Sequence, residues 1–346
     1  MIDSLSDGLG EFSTQICERI AAIAPAWRAQ HGVQFHLHLP TRWHGRFGSE
    51  LGYLATHKGQ GYLHWQGLRR FDVWHGLNQL GRIGPPIGTR HSLLTIHDLN
   101  PIYADAPQQV HKSLRKLASR LRKFDEVSTL TKHVEADIRQ HLHWAREVTV
   151  IPNGARDLTA HAQEPVEGVV PGRYLFHLSR MAASKNPQSL LDLAAAWPEQ
   201  ALVLAGPRCG DSDRIRALAR ERGLANVEVV QEVSDAQKTW LYANCLAFVF
   251  PSITEGFGLP PLEAMHFGKP VFLSRLTSLP EVGGDRAAYF DDFEAPNMRR
   301  IIMTELPRLQ RDANAIRAHA GQFSWDRAAQ AYLAIYRRML GLPATP

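Results

Sequence analysis

Cysteine and long apolar runs are scarce in this sequence. The three cysteines, Cys17, Cys209 and Cys245, are odd in number and share no metal-like spacing, so neither a disulfide framework nor a metal site is predicted. No apolar stretch approaches the about 18 residues of a membrane span. The start, MIDSLSDGLGEF, lacks the basic and apolar parts of a secretory signal. We therefore expect a protein of the reducing cytoplasm.

Disorder is excluded by the composition. Hydrophobic residues make up 44% of the 346 residues and charged residues 21%, which are ordinary values for a globular protein with full cores. Because single cores stop growing at about 250–300 residues, this length predicts two domains.

The positive charge is concentrated in the first half. Residues 1–165 hold 19 Lys and Arg against 15 Asp and Glu, and 14 of the 17 histidines, whereas residues 166–346 hold 20 against 19. A basic half predicts an anionic partner: a phosphorylated or lipid-linked acceptor, a membrane surface or nucleic acid. Solvated surface charge is the alternative.

One basic segment is amphipathic. In HKSLRKLASRLRKF, residues 111–124, apolar side chains recur at helical spacing among six Lys and Arg. We favour packing of the leucines on a sheet. The alternative is contact with a lipid-linked acceptor or with anionic lipid at the inner face of the cytoplasmic membrane, where each cation contributes about 1 kcal/mol.

Short β-branched and aromatic runs alternate with helical segments, as in parallel sheets covered by helices on both faces. In the first half the predicted strands are Val33–Leu39, Asp72–His75, Ser92–His97, Glu126–Leu130 and Glu147–Ile151. In the second half they are Tyr174–Leu178, Ala201–Ala205, Asn226–Val230, Ala247–Phe250 and Val271–Ser274. We predict an α/β protein with two Rossmann-like, doubly wound domains.

The two halves are separated by residues 155–172, which are polar, contain two prolines and lack periodicity. This composition predicts an interdomain linker, with domains at 1–160 and 161–346.

The last predicted helix, about Trp325–Leu340, has an apolar stripe that we expect to be buried, either on its own domain or back on the first. The stripe consists of Ala328, Ala331, Tyr332, Ile335 and Met339.

The N-terminal segment predicts a short strand followed by a glycine loop. Only Met1 and Ile2 precede polar residues, which is short for a strand of a parallel sheet. Gly8 and Gly10 are expected in a loop that opens a helix, with Ser13 or Thr14 near its cap. A plain turn is the alternative.

The most specific segment is PSITEGFGLPPLEAMHFGKPVF, residues 251–272, at the carboxyl end of a predicted buried strand, where open α/β sheets bind ligands. Seven residues separate Glu255, in the loop, from Glu263, inside the helix that begins near Leu259. Gly256 and Gly258 let backbone amides approach a ligand at the helix N-terminus, which favours negative charge. A phosphate or polyhydroxyl ligand is predicted, with helix-capping acids as the alternative.

A second cluster is FHLSRMAASKNPQSLLDLA, where a predicted strand ends at Leu178 and a helix begins near Pro187. Arg180 and Lys185 flank the turn between them. Arg offers a planar fork and Lys a compact charge, so the pair predicts a pyrophosphate clamp. Solvated surface cations are the alternative.

These segments resemble the retaining glycosyltransferases of family 4, which have the GT-B fold, over about residues 150–300. The matching motifs, in chain order, are Ile151-Pro152-Asn153-Gly154, Arg180 with Lys185, Leu241-Tyr242, Glu255-Gly256-Phe257-Gly258 with Glu263, and Leu279-Pro280-Glu281-Val282. The resemblance implies two domains facing across a cleft. The N-terminal one binds the acceptor and the C-terminal one the nucleotide-sugar donor.

The resemblance also implies roles for single residues. Glu255 lies near the transferred sugar and Glu263 near the ribose, while Arg180 and Lys185 hold the donor diphosphate and offset charge on the leaving group. Preorganised donors of this kind make a metal or other cofactor unnecessary. The backbone amides that reach phosphate and sugar hydroxyls belong to Gly256, Phe257, Gly258 and Leu259.

Two further assignments follow from the first half. His97, in TIHDLNPIY, ends a predicted strand, and the resemblance places it beside the donor sugar as a catalytic residue; a structural histidine is the alternative. Gly8 and Gly10 match the glycine-containing first loop of the family, although this chain lacks the family's longer first strand.

The function implied is hexosyl transfer. A GDP- or UDP-sugar donates mannose, glucose or a related hexose to a glycan, lipid-linked or of lipopolysaccharide, with retention of the α configuration. The alternatives are a sugar-nucleotide epimerase or phosphorylase on the same fold, or a basic nucleic-acid-binding protein. The Glu-x7-Glu loop argues against an epimerase, no second phosphate cluster supports a phosphorylase, and no nucleic-acid signature is found, so no nucleic-acid partner is expected.

Overall fold

A computed structural model describes residues 8–55, 70–81, 83–103 and 107–343. The chain forms two compact units: unit 1 contains residues 1–154 and 324–346, and unit 2 contains residues 155–323. The last helix therefore belongs to unit 1. None of the described helices is long and apolar enough to cross a membrane.

The helices and strands are numbered along the described chain. The α-helices are α1 (Gly8–His31), α2 (Pro107–Leu121), α3 (Lys132–Leu142), α4 (Pro187–Ala196), α5 (Gly210–Glu221), α6 (Asp235–Asn244), α7 (Leu259–His266), α8 (Leu279–Gly283), α9 (Ala295–Arg311), α10 (Ala313–Ala320) and α11 (Trp325–Met339). The strands are β1 (His36–Leu39), β2 (Gly52–Ala55), β3 (Val73–Gly76), β4 (His91–Ile96), β5 (Glu126–Thr129), β6 (Val148–Val150), β7 (Tyr174–Leu178), β8 (Ala201–Gly206), β9 (Val227–Gln231), β10 (Ala247–Phe250), β11 (Val271–Ser274) and β12 (Ala288–Phe290).

All strand pairs of the described sheets are parallel. Unit 1 has a four-stranded sheet, β3-β4-β5-β6, and a separate pair, β1-β2. Unit 2 has a six-stranded sheet in the order β12-β11-β10-β7-β8-β9. Strands β10 and β11 are buried throughout, since helices cover both faces of such a sheet. The α/β prediction is confirmed.

In unit 2 the strand order reverses beside β7. The chain first adds β8 and β9 on one side of β7, then returns to add β10, β11 and β12 on the other. The connections that leave β7 and β10 therefore diverge at the carboxyl edge of the sheet. Open α/β sheets bind ligands in the crevice at such a reversal.

The ten predicted strands all exist, with ends shifted by at most a few residues, but two strands were not predicted. Strand β2 contains Gly52 and pairs only with β1, and β12 is three residues long at a sheet edge. Neither has the continuous apolar run of a central strand. The predicted first strand at Met1 and Ile2 lies outside the described residues.

The glycine loop predicted at Gly8 and Gly10 is wrong, because both residues lie in the first turns of α1 and Gly10 is buried. Ser13 does not cap this helix. Its hydroxyl donates to the carbonyl oxygen of Leu9, at 2.8 Å, one turn earlier. Gly10, Ser13 and Cys17 are buried and recur at helical spacing, so the buried face of α1 begins already at Gly10. The burial of this face outweighs the low helix propensity of glycine.

The segment 155–172 is part of unit 2 rather than a free linker. Leu158 and Val166 are buried. The amide of Glu164 donates to the carbonyl of Ala236, and the amide of Gly172 donates to the carbonyl of Asn244. The sequence did not predict the burial of Leu158 and Val166, because two isolated apolar residues in a polar segment produce no periodic pattern.

Helix α11 is joined to unit 1 by a polar network around His75. The His75 Nδ1 atom lies 2.5 Å from the hydroxyl of Tyr336, and Nε2 lies 2.7 Å from the hydroxyl of Thr95. Burial lowers the pKa of His75 to about 3, and the nearby imidazole of His97 adds to the shift. His75 is therefore neutral in the folded protein at ordinary pH.

Acidification is predicted to destabilise unit 1 through His75. In the unfolded chain this residue takes up a proton near pH 6.5, whereas the folded form resists it until about pH 3, so stability falls as the pH drops through that interval. Between pH 7 and pH 5 the contribution amounts to about 2 kcal/mol. Urea unfolding of wild type and His75→Leu at both pH values measures it. The variant is expected to be less stable than wild type at pH 7, but its free energy of unfolding should fall by about 2 kcal/mol less on acidification. An equal fall in the two proteins would contradict this account.

Candidate functional site

The candidate site lies at the strand-order reversal of unit 2. Residues 179–186 connect β7 to α4, and residues 251–258 connect β10 to α7. We call these the β7 loop and the β10 loop. The segments singled out in the sequence form these two loops, so the reversal brings both to one edge of the sheet.

An ion pair joins the two loops. The ammonium group of Lys185 lies 2.5 Å from Oε1 of Glu255, with the side chains 20% and 11% exposed. The hydroxyl of Ser252 donates to the same oxygen, at 2.7 Å. Two groups of opposite charge in a half-buried position neutralise each other, and the hydroxyl satisfies a further lone pair of the carboxylate. Lys185 therefore contacts Glu255 here, whereas the sequence predicted a phosphate contact.

Backbone contacts fix the same junction. The amide of Ile253 donates to the carbonyl of Ser184, at 2.8 Å, and the hydroxyl of Ser252 reaches this carbonyl at 3.0 Å. The positions of Lys185 and Glu255 are thus set by the neighbouring backbone as well as by their own charges.

Two residues before α8 hold the β10 loop, a role that the sequence did not predict. The hydroxyl of Thr277 accepts from the amide of Glu255, at 3.0 Å. The single hydroxyl hydrogen of Ser278 is shared between the carbonyls of Glu255 and Phe257, which lie 2.8 and 3.1 Å from the hydroxyl oxygen. Their only sequence signal is a Thr-Ser pair before a proline-containing helix start, which is typical of ordinary caps.

Gly258 is required by the backbone of the β10 loop. It has φ of 116°, and a Cβ atom there would lie 2.9 Å from a methyl carbon of Leu279. The first turn of α7 contains Pro260 and Pro261, which have no N–H group. Of the first three residues of α7, only Leu259 therefore has an amide that can donate to an anion, and it belongs to the predicted set of backbone donors.

Glu263 lies on α7 and is 9% exposed. The hydroxyl of Tyr242, on α6, donates to its Oε2 atom at 2.9 Å. Burial, together with the charge of Glu263, raises the pKa of Tyr242 well above its usual value, so the tyrosine stays a donor. Among the described residues no donor contacts the second oxygen of Glu263. One oxygen is thus anchored, and the other has capacity to accept.

Arg180 differs from its neighbours because its side chain is exposed. Within the described ranges, no carboxylate lies within ion-pair distance of its guanidinium group. The same ranges contain no group of three His, Cys, Asp or Glu side chains placed to hold a metal ion.

His97 belongs to unit 1 and is buried. Its Nε2 atom lies 2.8 Å from the carbonyl oxygen of Leu77, and its ring packs edge-on to Phe12 at 4.6 Å. Since a carbonyl oxygen only accepts, Nε2 carries the hydrogen. The catalytic role expected for His97, and the ligand-binding role expected for Gly8 and Gly10, stay predictions.

The family model described as Glycosyl transferases group 1 matches residues 165–292, which include both loops, Glu263 and Tyr242. Residues 165–292 are thus similar to the group 1 glycosyltransferases, and we call this segment the glycosyltransferase domain. The resemblance predicted from the motifs is confirmed, as is the GT-B fold.

Curated relatives match about half of this chain and part of their own length. The serotype-specific mannosyltransferase WbdA of Escherichia coli is 32% identical over 183 residues, 49% of this chain and 22% of the relative. The O-antigen chain mannosyltransferase B of Escherichia coli is 34% identical over 175 residues, 47% of this chain and 45% of the relative. The match thus covers less than half of either relative.

Solved structures extend the similarity to the whole fold. HepE of Anabaena, in complex with UDP and glucose, has a TM-score of 0.71 and 19% identity, covering 95% of this chain and 96% of that one. Sucrose-phosphate synthase from Thermosynechococcus elongatus has a TM-score of 0.65 and 20% identity, covering 95% of this chain and 79% of that one. At such identities the likeness concerns the fold.

Ser278→Ala is predicted to loosen the β10 loop of the glycosyltransferase domain. Loss of one buried hydroxyl that serves two carbonyls costs about 1–3 kcal/mol of stability. Hydrogen exchange of the loop amides measures the effect, and faster exchange in residues 253–258 is expected. Thr239→Val is the control, because Thr239 is also buried and its hydroxyl donates within α6 to the carbonyl of Asp235. Equal exchange in the two variants would show that Ser278 does not hold the loop.

Proposed function

We propose that the protein is a retaining hexosyltransferase that moves a hexose from a nucleoside-diphosphate sugar to a glycan acceptor. The observation that carries this proposal is the junction of the β7 and β10 loops. This junction lies in the segment that matches the group 1 glycosyltransferases, and it holds Glu255 against Lys185 at the strand-order reversal. The β7 loop also carries the exposed Arg180.

The two cations are proposed to hold the donor diphosphate. Arg180, with no carboxylate partner among the described side chains, is open to a bidentate phosphate contact. Lys185 can exchange its carboxylate partner for a phosphate oxygen, and before the donor arrives the ion pair with Glu255 keeps the two charges neutralised. Both cations then offset the charge that develops on the departing nucleoside diphosphate, so we propose that no metal or other cofactor is needed.

Glu255 is proposed to accept hydrogen bonds from the transferred sugar rather than to attack it. Its Oε1 atom already accepts from Lys185 and Ser252, and both bonds weaken it as a nucleophile. A front-face substitution, in which the acceptor hydroxyl passes its proton to the leaving phosphate oxygen, retains the α configuration without a covalent intermediate. A site closed to water limits hydrolysis of the donor.

The relatives' names suggest the substrate class. Both Escherichia coli relatives are named mannosyltransferases, one of them for O-antigen chains, so mannose and a lipopolysaccharide glycan or its lipid-linked precursor are the first substrates to test. GDP- and UDP-sugars both belong in the donor panel, because HepE was solved with UDP and glucose. An epimerase would instead convert the sugar nucleotide without a glycan acceptor, and a phosphorylase would cleave a glycosidic bond with inorganic phosphate and need no sugar nucleotide.

A peripheral position at the inner face of the cytoplasmic membrane is proposed from helix α2. Its half-buried Leu114 and Leu117 pack against the buried core of unit 1, as the favoured interpretation expected. Apart from Arg120, whose guanidinium group donates to the carbonyl of Ile83, the cations of α2 and its end are exposed. The exposed basic residues of α2 and its end are His111, Lys112, Arg115, Lys116, Arg122 and Lys123.

Charge reversal on α2 tests this position. The triple variant Lys112→Glu, Arg115→Glu, Lys116→Glu should lose binding to anionic vesicles, since each surface cation contributes about 1 kcal/mol near anionic headgroups. Co-sedimentation with vesicles of phosphatidylglycerol and phosphatidylcholine measures it. Three similar reversals in unit 2, at the exposed Arg214, Arg220 and Arg311, provide the matched control. Equal binding of both variants, or none by wild type, would refute membrane contact through α2.

Glu255→Gln is predicted to impair turnover, whereas Glu263→Gln is predicted to impair binding. Glu255→Gln removes a charged acceptor beside the reacting sugar, so kcat should fall by about ten- to a hundredfold while donor affinity changes little. Glu263→Gln should mainly weaken binding, of the free nucleotide as well as of the sugar donor. Initial rates and calorimetry on the folded variants separate the two outcomes. Normal turnover by Glu255→Gln would contradict the sugar-facing role, and a loss confined to kcat in Glu263→Gln would contradict the ribose-facing one.

A further inference from the structure

A buried histidine connects the two strands from which the β7 and β10 loops leave. His177, on β7, is fully buried, and its Nδ1 atom lies 2.9 Å from the carbonyl oxygen of Val249 on β10. The backbone pairing of these strands reaches only Phe176 and Phe248. Beyond this last backbone pair, the side chain of His177 supplies the next hydrogen bond between the two strands, one residue before β7 ends at Leu178.

The second nitrogen of His177 contacts the β7 loop. Its Nε2 atom lies 2.7 Å from the hydroxyl oxygen of Ser179, and this oxygen lies 3.0 Å from the amide nitrogen of Met181. A chain of three hydrogen bonds therefore runs from the carbonyl of Val249 to the backbone of Met181.

The direction of each bond follows from what the atoms can do. The carbonyl of Val249 only accepts, so Nδ1 of His177 carries the hydrogen and Nε2 of the neutral ring has the lone pair. Nε2 then accepts from the hydroxyl of Ser179, whose oxygen accepts from the amide of Met181. With the imidazole neutral, every group in the chain has a hydrogen-bond partner. Burial favours that state by lowering the pKa of His177 to about 4.

The bond to Met181 fixes an unusual turn. Met181 has φ of 59°, a left-handed conformation that a non-glycine residue adopts only at a cost, and its side chain is fully buried. The thiol of Cys209 lies 3.4 Å from the carbonyl oxygen of Arg180. On the opposite strand, a Cβ atom on Gly206 would collide with the carbonyl of Ser179, so this glycine permits the close approach. Arg180 is the exposed residue inside this restrained turn.

We propose that His177 and Ser179 are positioning residues that hold the Met181 turn and thereby aim the guanidinium group of Arg180 at the diphosphate of a nucleoside-diphosphate ligand. This inference rests on the proposed function, because it gives Arg180 a diphosphate to bind. Neither His177 nor Ser179 touches the ligand. Because they hold the turn in advance, less conformational entropy of the Arg180 side chain and backbone is lost when Arg180 binds a phosphate.

The test compares Ser179→Ala, Ser179→Thr and the control Thr239→Val with wild type. UDP, UMP, GDP and GMP are the probes, and the readout is the ratio of diphosphate to monophosphate affinity measured by calorimetry. Ser179→Ala breaks the chain, so this ratio should fall about three- to tenfold, the effect of one hydrogen bond. Ser179→Thr keeps the hydroxyl and should restore it. Thr239→Val removes a buried hydroxyl bond in α6 and should leave the ratio unchanged.

Nitrogen NMR of the wild-type protein provides an independent measurement. His177 should be neutral, with its hydrogen on Nδ1, from pH 8 down to pH 5, and the amide of Met181 should exchange faster in Ser179→Ala than in Ser179→Thr. A hydrogen on Nε2 would overturn the chain of bonds. So would an unchanged affinity ratio in Ser179→Ala when wild type prefers diphosphates. If wild type itself shows no preference for diphosphates, the proposed function fails as well, which separates the two failures.

Discussion

The reversal of strand order beside β7 is the constraint on which the candidate site depends. Parallel strands all present their carboxyl ends at one edge, but neighbouring connections usually follow one another to the same side. In unit 2 the connections from β7 and β10 diverge at neighbouring strands, although 68 residues lie between Leu178 and Ala247 along the chain. Arg180 and Lys185 on one loop and Glu255 on the other then belong to the same crevice. The Lys185–Glu255 ion pair is the direct result.

The charged side chains of the site are held in position by hydrogen bonds from neutral groups. A half-buried ion pair contributes to stability only when hydrogen bonds complete its geometry. Here Ser252, Thr277 and Ser278 bind the carboxylate or the backbone of the β10 loop, and His177 and Ser179 bind the β7 loop. Preorganised groups of this kind need no rearrangement as charge develops on a substrate, which is the condition for electrostatic catalysis.

The sequence predicted the parts of this account that are encoded locally. The central strands were found because β7, β10 and β11 consist mainly of apolar residues. Arg180, Lys185, Glu255 and Glu263 stood out because their spacing belongs to a family motif. The supporting residues were missed because their partners are distant in sequence. His177 looks like one residue of a buried strand until Val249 is placed opposite it, and Ser278 looks like an ordinary cap.

The errors have the same origin. Gly8 and Gly10 suggested a loop because glycine is a poor helix former, yet tertiary burial of α1 decided the conformation. Residues 155–172 suggested a linker because they are polar, yet Leu158 and Val166 anchor them to unit 2. Local propensity fails where one or two long-range contacts suffice to fix a segment.

Calorimetric titration of wild type, Arg180→Ala and Lys185→Ala with UDP and GDP tests the central claim most directly, namely that the crevice beside β7 binds a nucleoside diphosphate. Charge-assisted hydrogen bonds contribute about 1.5–3 kcal/mol, so each variant should bind the preferred diphosphate about ten- to a hundredfold more weakly than wild type. Arg220→Ala, an exposed cation on α5, should bind like wild type. Unchanged affinity in both Arg180→Ala and Lys185→Ala would contradict the claim.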